Sequence, residues 1–293
     1  MIMRPDQIHT ARGEMPARAE IGGVAVVPFE SYDQALECVE KSIEMKQKSF
    51  WVAINPIKIY NAWYSPDLMD LLCKADVGIC DGVGVSWASR LLYGRPIKRI
   101  TGCDLFFKIL SLVNQKQWGV FLLGASTQSN TQARLALQRQ YPGLRIVGWQ
   151  DGYFEDSQKV VEQINTSQAD FLFVAMGSPM QEEWICRYRE AINAQFCMGV
   201  GGSFDVAAGI VTRAPRFFRK TGTEFVYRIL SEPRKRLAHL RILVHYLLRV
   251  IQSKTSGSFP QGDDESIRVS SHCSTHSGNS LVLRSQNMLS ESV

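Results

Sequence analysis

Short apolar runs alternate with segments of helical spacing along most of this chain, and that alternation restricts it to one class of fold. The runs 23–28, 50–55, 77–80, 119–123, 145–148, 171–175 and 196–200 read as strands. Between them, 32–46, 68–74, 85–92, 103–112, 128–140, 157–164 and 181–191 place apolar residues three and four apart, as helices do. Most of the strands are apolar throughout, the pattern of strands buried on both faces. Taken in turn with the helices, they predict an α/β fold: a largely parallel, Rossmann-like sheet with helices on both faces. Ligands of such sheets bind beyond the carboxyl ends of the strands, so chemistry is sought in the residues that follow each one.

The 293 residues are 45% apolar, enough for one core of roughly 200 residues with appendages. Residues 1–20 lack periodicity and are expected to be disordered; 21–215 form the α/β core; 216–251 form a C-terminal helical appendage; 252–293, rich in serine, form a disordered tail. The appendage is expected to hold two helices separated at Ser231-Glu232-Pro233, with Pro233 in the first turn of the second. Charge concentrates there. From Arg213 to Arg249 ten cations face two acids, Glu224 and Glu232, while the rest of the chain is slightly acidic. The cations are interleaved with Phe217, Phe218, Phe225, Tyr227, Leu237, Leu240, Leu243, Val244, Tyr246 and Leu247, a basic amphipathic pattern suited to an anionic membrane surface. Nucleic acid is the poorer partner, because the cations alternate with bulk that needs burial and no reader motif is present.

Several function classes drop out. The seven cysteines contain no CxxC pair and lie mostly in apolar stretches, as reduced buried thiols do. All five histidines fall outside 22–215, which argues against a zinc site or a histidine-based triad in the core. No apolar run approaches the ~20 residues of a membrane span. Residues 1–20 carry charges and prolines where a secretory leader needs an apolar core, so a cytoplasmic location is expected.

Polar and glycine residues cluster at the strand ends: Asn55-Pro56, Cys80-Asp81-Gly82-Val83-Gly84, Gly124-Ala125-Ser126, Met176-Gly177-Ser178-Pro179-Met180-Gln181 and Gly199-Val200-Gly201-Gly202-Ser203-Phe204-Asp205. Backbone that approaches closely, next to helix N-termini, suits a nucleotide. Phe204 stands where the third glycine of a dinucleotide fingerprint belongs, and no P-loop occurs. Asp81 is the carboxylate to single out. It is placed equally well to act as a general base or to cap the helix beginning near Val85. Gln181 suits a hydrogen bond to a polyol or amide. A departing diphosphate must be neutralised by a divalent cation or by fixed cations. No DxD lies between Gly22 and Pro215, whereas the basic segment supplies arginines, so neither a metal nor another cofactor is expected.

These motifs resemble the WecG/TagA/CpsF glycosyltransferases. The likeness rests on the run from Gly199 through Asp205 to Arg213-Ala214-Pro215, continued by 224–236, and on Cys80-Asp81-Gly82-Val83-Gly84-Val85 and Arg99-Ile100-Thr101-Gly102-Cys103-Asp104. It rests also on Tyr141-Pro142-Gly143, the stretch 148–154 and the stretch 175–182. The resemblance implies an inverting, metal-independent transfer of a hexose (N-acetylmannosamine, its uronate, or glucose) from a UDP-sugar to a polyprenyl-diphosphate-linked saccharide. The setting it implies is bacterial surface polysaccharide synthesis, at the inner face of the plasma membrane. It places the base on Asp81, sugar contacts on Gln181 and Asn55, and the uridine at Asp205 with Arg99 near; the glycine turn at Gly124 is, from the residues themselves, a further place for a ligand to approach. Arg228, Arg234 and Arg236 would close over the diphosphate, and the core would self-associate into a homo-oligomer when the appendage is displaced. The chain departs from the family pattern at Ala53 and at Ile57-Lys58. A different class of function, a non-catalytic nucleotide-sugar binder in a polysaccharide assembly complex, would show itself as UDP-sugar binding without turnover.

Overall fold

The computed structural model describes residues 15–215, 217, 218, 224, 227 and 233–256, the last stretch with the side chains of 239–255. Along the chain run β1 (Ala19–Ile21), β2 (Val24–Val26), α1 (Tyr32–Glu44), β3 (Ser49–Ile54), α2 (Pro56–Trp63), α3 (Pro66–Cys73), β4 (Val77–Cys80) and α4 (Val83–Tyr93). They are followed by α5 (Gly102–Lys116), β5 (Gly119–Gly124), α6 (Thr127–Gln140), β6 (Arg145–Gln150), α7 (Ser157–Ser167), β7 (Phe171–Ala175), α8 (Met180–Tyr188), β8 (Phe196–Gly199), α9 (Ser203–Ala207) and α10 (Pro233–Ser256).

Six strands form one sheet in the order β4-β3-β8-β7-β5-β6, every neighbouring pair parallel. One face buries Val52, Ile54, Leu123, Leu172 and Val174 under α2, α3, α4, α7, α8 and α10. The other buries Trp51, Val120, Phe171, Phe173 and Phe196 under α1, α5, α6 and α9. Burial on both sides is the physical reason these strands read as unbroken apolar runs, and the expected α/β class is the observed one.

The expected first strand behaves differently. Only Val24–Val26 is extended, and it pairs antiparallel with Ala19–Ile21 across a turn whose Gly22 and Gly23 both have positive φ. The hairpin meets the large sheet through a single parallel bridge, Val27 to Ile79. Positive φ at both turn residues matches the twist of a tight hairpin, and it draws residues 19 and 20, expected to be disordered, into a strand. Helix α2 is also additional to the sequence reading. Asn55 caps it by accepting from Lys58 N at 2.9 Å, and Pro56 occupies its first position.

Two features of the topology place the site. β3 hands the chain to α2 on one face while its neighbour β8 hands it to α9 on the other, so the connections diverge and open a crevice at their carboxyl ends. The second is α10, which starts at Pro233 and packs on α2 and α4. Tyr246 is fully buried, stacks on Trp63 with ring centroids 5.7 Å apart, and donates its hydroxyl to Gly84 O at 3.4 Å. His245 stacks on Tyr60, and Arg249 lies over the rings of Trp63 and Tyr64. Leu240, Val244, Leu248 and Ile251, spaced by four, four and three residues, leave an apolar stripe exposed on the same helix. No helix among the described residues is long and apolar enough to cross a membrane.

Candidate active site

The sheet brings every strand-end motif to one rim. In spatial order these are Asp81 after β4, Asn55 after β3, Gly201 to Asp205 after β8, Gln181 after β7, Gly124 at the end of β5 and Asp151 after β6. With neighbouring strands about 4.8 Å apart, the row spans roughly 24 Å, long enough for an extended nucleotide-sugar.

At the β4 end, Asp81 is anchored by its backbone N–H, which donates to Ile54 O at 2.8 Å. Of the two roles open to it, capping is not realised. The N-cap of α4 is Gly82, at φ +115, with no side-chain bond. The Asp81 carboxylate turns instead toward the start of α5, where a Cβ on Gly102 would lie 3.6 Å from its Oδ2. Asp81 is half-buried. Arg99 lies along the end of the same strand, because Ile100 N donates to Cys80 O at 2.9 Å. The Cys80 thiol is pushed up to about 12 by burial, with the charge of Asp81 adding to the effect, which leaves it inert as a nucleophile.

Beside this corner, Thr101 caps α5 and its hydroxyl donates to Asp104 Oδ2 at 2.8 Å. The other oxygen of Asp104 accepts from Arg213 at 2.6 Å, which ties the segment leading to the appendage against α5. Arg228 lies outside the described residues, and so do the side chains of Arg234 and Arg236 in the first turn of α10. The helix that carries the last two does seat itself near Asp81: Leu243 approaches the Cβ position of Gly84 to 3.5 Å.

The β3, β8 and β7 ends hold a largely buried polar network. Gln181 and Glu182, in the first turn of α8, are buried at 4% and 0% exposure. Gln181 Oε1 accepts from Gly201 N at 3.0 Å and its Nε2 donates to Glu182 Oε1 at 2.9 Å. Lys58, in the first turn of α2 and 7% exposed, donates to the same carboxylate oxygen at 2.8 Å. Asn55 caps that helix turn. The structure therefore brings Asn55 and Gln181 into one connected cluster, through Lys58 and Glu182, which the sequence reading did not select.

Toward β5 and β6 the rim is more open. Ser126 caps α6, Ser129 donates its hydroxyl to Asp205 Oδ1, and Thr127 bonds Asp151. Asn130 is buried, with its Nδ2 on Gly124 O at 2.9 Å and on Leu122 and Gln150 carbonyls. Gly124 itself has φ +109, and a Cβ there would come within 2.6 Å of the Ala175 backbone, so strand packing alone requires glycine at this position. Among the described residues no three of His, Cys, Asp and Glu converge as a metal site.

With the rim laid out, comparison with known proteins decides the family. The sequence model of the glycosyl transferase WecG/TagA/CpsF family matches residues 20–259. The chain belongs to that family. This glycosyltransferase is 35% identical over 219 residues to a Bacillus spizizenii protein, with 74% of this chain and 84% of the relative covered. It is 33% identical to a Bacillus subtilis protein (74% and 85% covered) and 34% identical to one from Staphylococcus aureus (70% and 80%). All three bear the name N-acetylglucosaminyldiphosphoundecaprenol N-acetyl-beta-D-mannosaminyltransferase.

Proposed function

We propose that this glycosyltransferase moves N-acetylmannosamine, with inversion, from UDP-N-acetylmannosamine to an N-acetylglucosaminyl-diphosphate-prenyl acceptor. The names of the relatives support the sugar and the acceptor. The observation that carries the chemistry is the disposition of Asp81: it ends a strand at the rim, is not spent on a helix cap, and remains accessible beside the first turn of α5. The acceptor hydroxyl attacks the anomeric carbon from the side opposite UDP. As the new C–O bond forms, its proton passes to Asp81, and the electrons of the broken bond leave with the diphosphate. Arg228, Arg234 and Arg236 neutralise that departing charge, which lets the reaction run without a divalent cation. Asn55 and Gln181 hold the sugar, while Asp205 and Arg99 serve the uridine end.

The stripe of Leu240, Val244, Leu248 and Ile251, flanked by Arg241, lays α10 on the anionic inner face of the plasma membrane. Because α10 also packs near Asp81, docking on the bilayer and completing the site become one event. The test is turnover of purified protein with a synthetic GlcNAc-diphosphate-prenyl acceptor and, in parallel, UDP-N-acetylmannosamine, its uronate and UDP-glucose. The first donor should be strongly preferred, and activity should survive EDTA. Preference for either other donor overturns the sugar assignment, and loss in EDTA restored by Mn²⁺ overturns the metal-independent mechanism.

A further inference from the structure

We propose that Lys58 and Glu182 are positioning residues for the donor sugar. Their buried ion pair fixes the polarity of the Gln181 amide and locks the first turns of α2 and α8 together on one face of the sheet. The inference rests on the reading above that Asn55 and Gln181 meet the sugar.

An ion pair sealed at 7% and 0% exposure is rarely a source of stability, because desolvation of both charges offsets their attraction and apolar replacements of similar volume are often tolerated. Its placement says more than its energy. Lys58 and Glu182 are 124 residues apart, and each stands in the helix turn that carries one of the amides assigned above to the sugar, Asn55 for α2 and Gln181 for α8. A glutamine amide has two ends of similar shape, and its neighbours decide which end faces where. Here one neighbour, the Gly201 N–H, can only donate, and the other, the Glu182 carboxylate paired with Lys58, serves as acceptor. Oxygen must therefore face Gly201 and nitrogen must face Glu182. One amide hydrogen and one carbonyl lone pair remain to meet hydroxyl groups in a fixed arrangement.

Lys58 sets its opposite charge against that buried carboxylate at 2.8 Å, and so maintains that arrangement. Both bonds to Glu182 fall on Oε1; Oε2 is sealed and has no hydrogen-bond partner among the described residues. A buried oxygen left in this condition is an energetic cost that packing alone does not require, as expected for a device kept for orientation.

The experiment uses the full chain with UDP-N-acetylmannosamine. The double variant K58M/E182Q conserves volume, removes both charges and frees the amide polarity. Its melting temperature should match wild type, while kcat/KM for the donor falls about 10- to 100-fold, as losses of supporting contacts around a site typically do. The acceptor KM should not move. K58R, which keeps the pair, should retain the donor kcat/KM. A folded double variant with wild-type donor kcat/KM overturns the proposal, as does a loss expressed in kcat with donor KM unchanged, since that reports only a smaller active fraction. If the double variant does not fold, E182Q must raise the donor KM and K58R must not; equal behaviour of the two overturns it. Calorimetric binding of UDP-N-acetylmannosamine and UDP-glucose to the same variants separates the two readings. A wild type that binds but does not turn over fails the proposed reaction while leaving this comparison intact, and a wild type that binds neither sinks both.

Discussion

Two acidic side chains stand on the same rim and live in different worlds. Asp81, after β4, is half-buried and borders the appended helix α10 through Gly84. Glu182, two strands beyond the neighbouring β3, is sealed and matched to one cation. A carboxylate that exchanges a proton with substrate must be reachable, and one that orients other groups must not be. The division of labour is thus written in exposure rather than in residue type.

The contrast can be broken at either end. The largest effect is expected from Asp81→Asn, which removes the proposed proton acceptor without altering shape: kcat should fall about 10²- to 10⁴-fold while the melting curve stays in place. Near-normal turnover would move the base elsewhere. The reverse signature belongs to Lys58→Met alone, which leaves the Glu182 charge buried without its partner. Chemical denaturation should report a loss of about 3–5 kcal/mol, and K58M/E182Q should recover most of it. Between these lies the Asp104–Arg213 pair, whose side chains are 29% and 25% exposed. Asp104→Asn should cost no more than about 1 kcal/mol, as partly solvated pairs do, and a larger loss would show that this corner is as closed as the crevice.

The smallest effect concerns the seat of α10. Burial pushes the Tyr246 phenol well above its ordinary value, with Cys80 adding to the shift. The neutral phenol is therefore favoured in the folded state. Its contribution is complete below the unfolded value of about 10 and declines as pH rises beyond it. Denaturation midpoints at pH 9 and pH 11 should separate wild type from Tyr246→Phe, with the variant losing less over that interval.

How legible was this in the chain? Five strands of the large sheet were readable to within a residue because both their faces are buried, while the edge strand β6, partly exposed along its length, was readable at its start and two residues short at its end. The hairpin was only half readable: Val24 to Val26 looks like any other buried strand, and its partner Ala19–Ile21 is too short to carry a pattern. Helix α2 did leave a signal, since asparagine followed by proline is a cap and a first turn. It was masked by the attraction of reading Asn55 as a ligand contact. Asp81, Asn55 and Gln181 were visible as polar residues at strand ends. Lys58 and Glu182 were not, because a lysine and a glutamate 124 residues apart look like surface charges until the fold sets them face to face. The roles of Arg228, Arg234 and Arg236 belong to residues outside the described set or to side chains outside it.

One absent side chain has reach beyond its own position. At Gly84 an added methyl would strike the Pro56 ring at 2.4 Å and only touch Leu243, at an ordinary contact distance of 3.5 Å, so the first turns of α4 and α2 meet on a single hydrogen atom. Gly84→Ala would act as a wedge between α4 and α2, tilting the helix turn that Asn55 caps. Residue 84 is thus where one methyl could shift the wall of the rim without replacing any of its polar side chains.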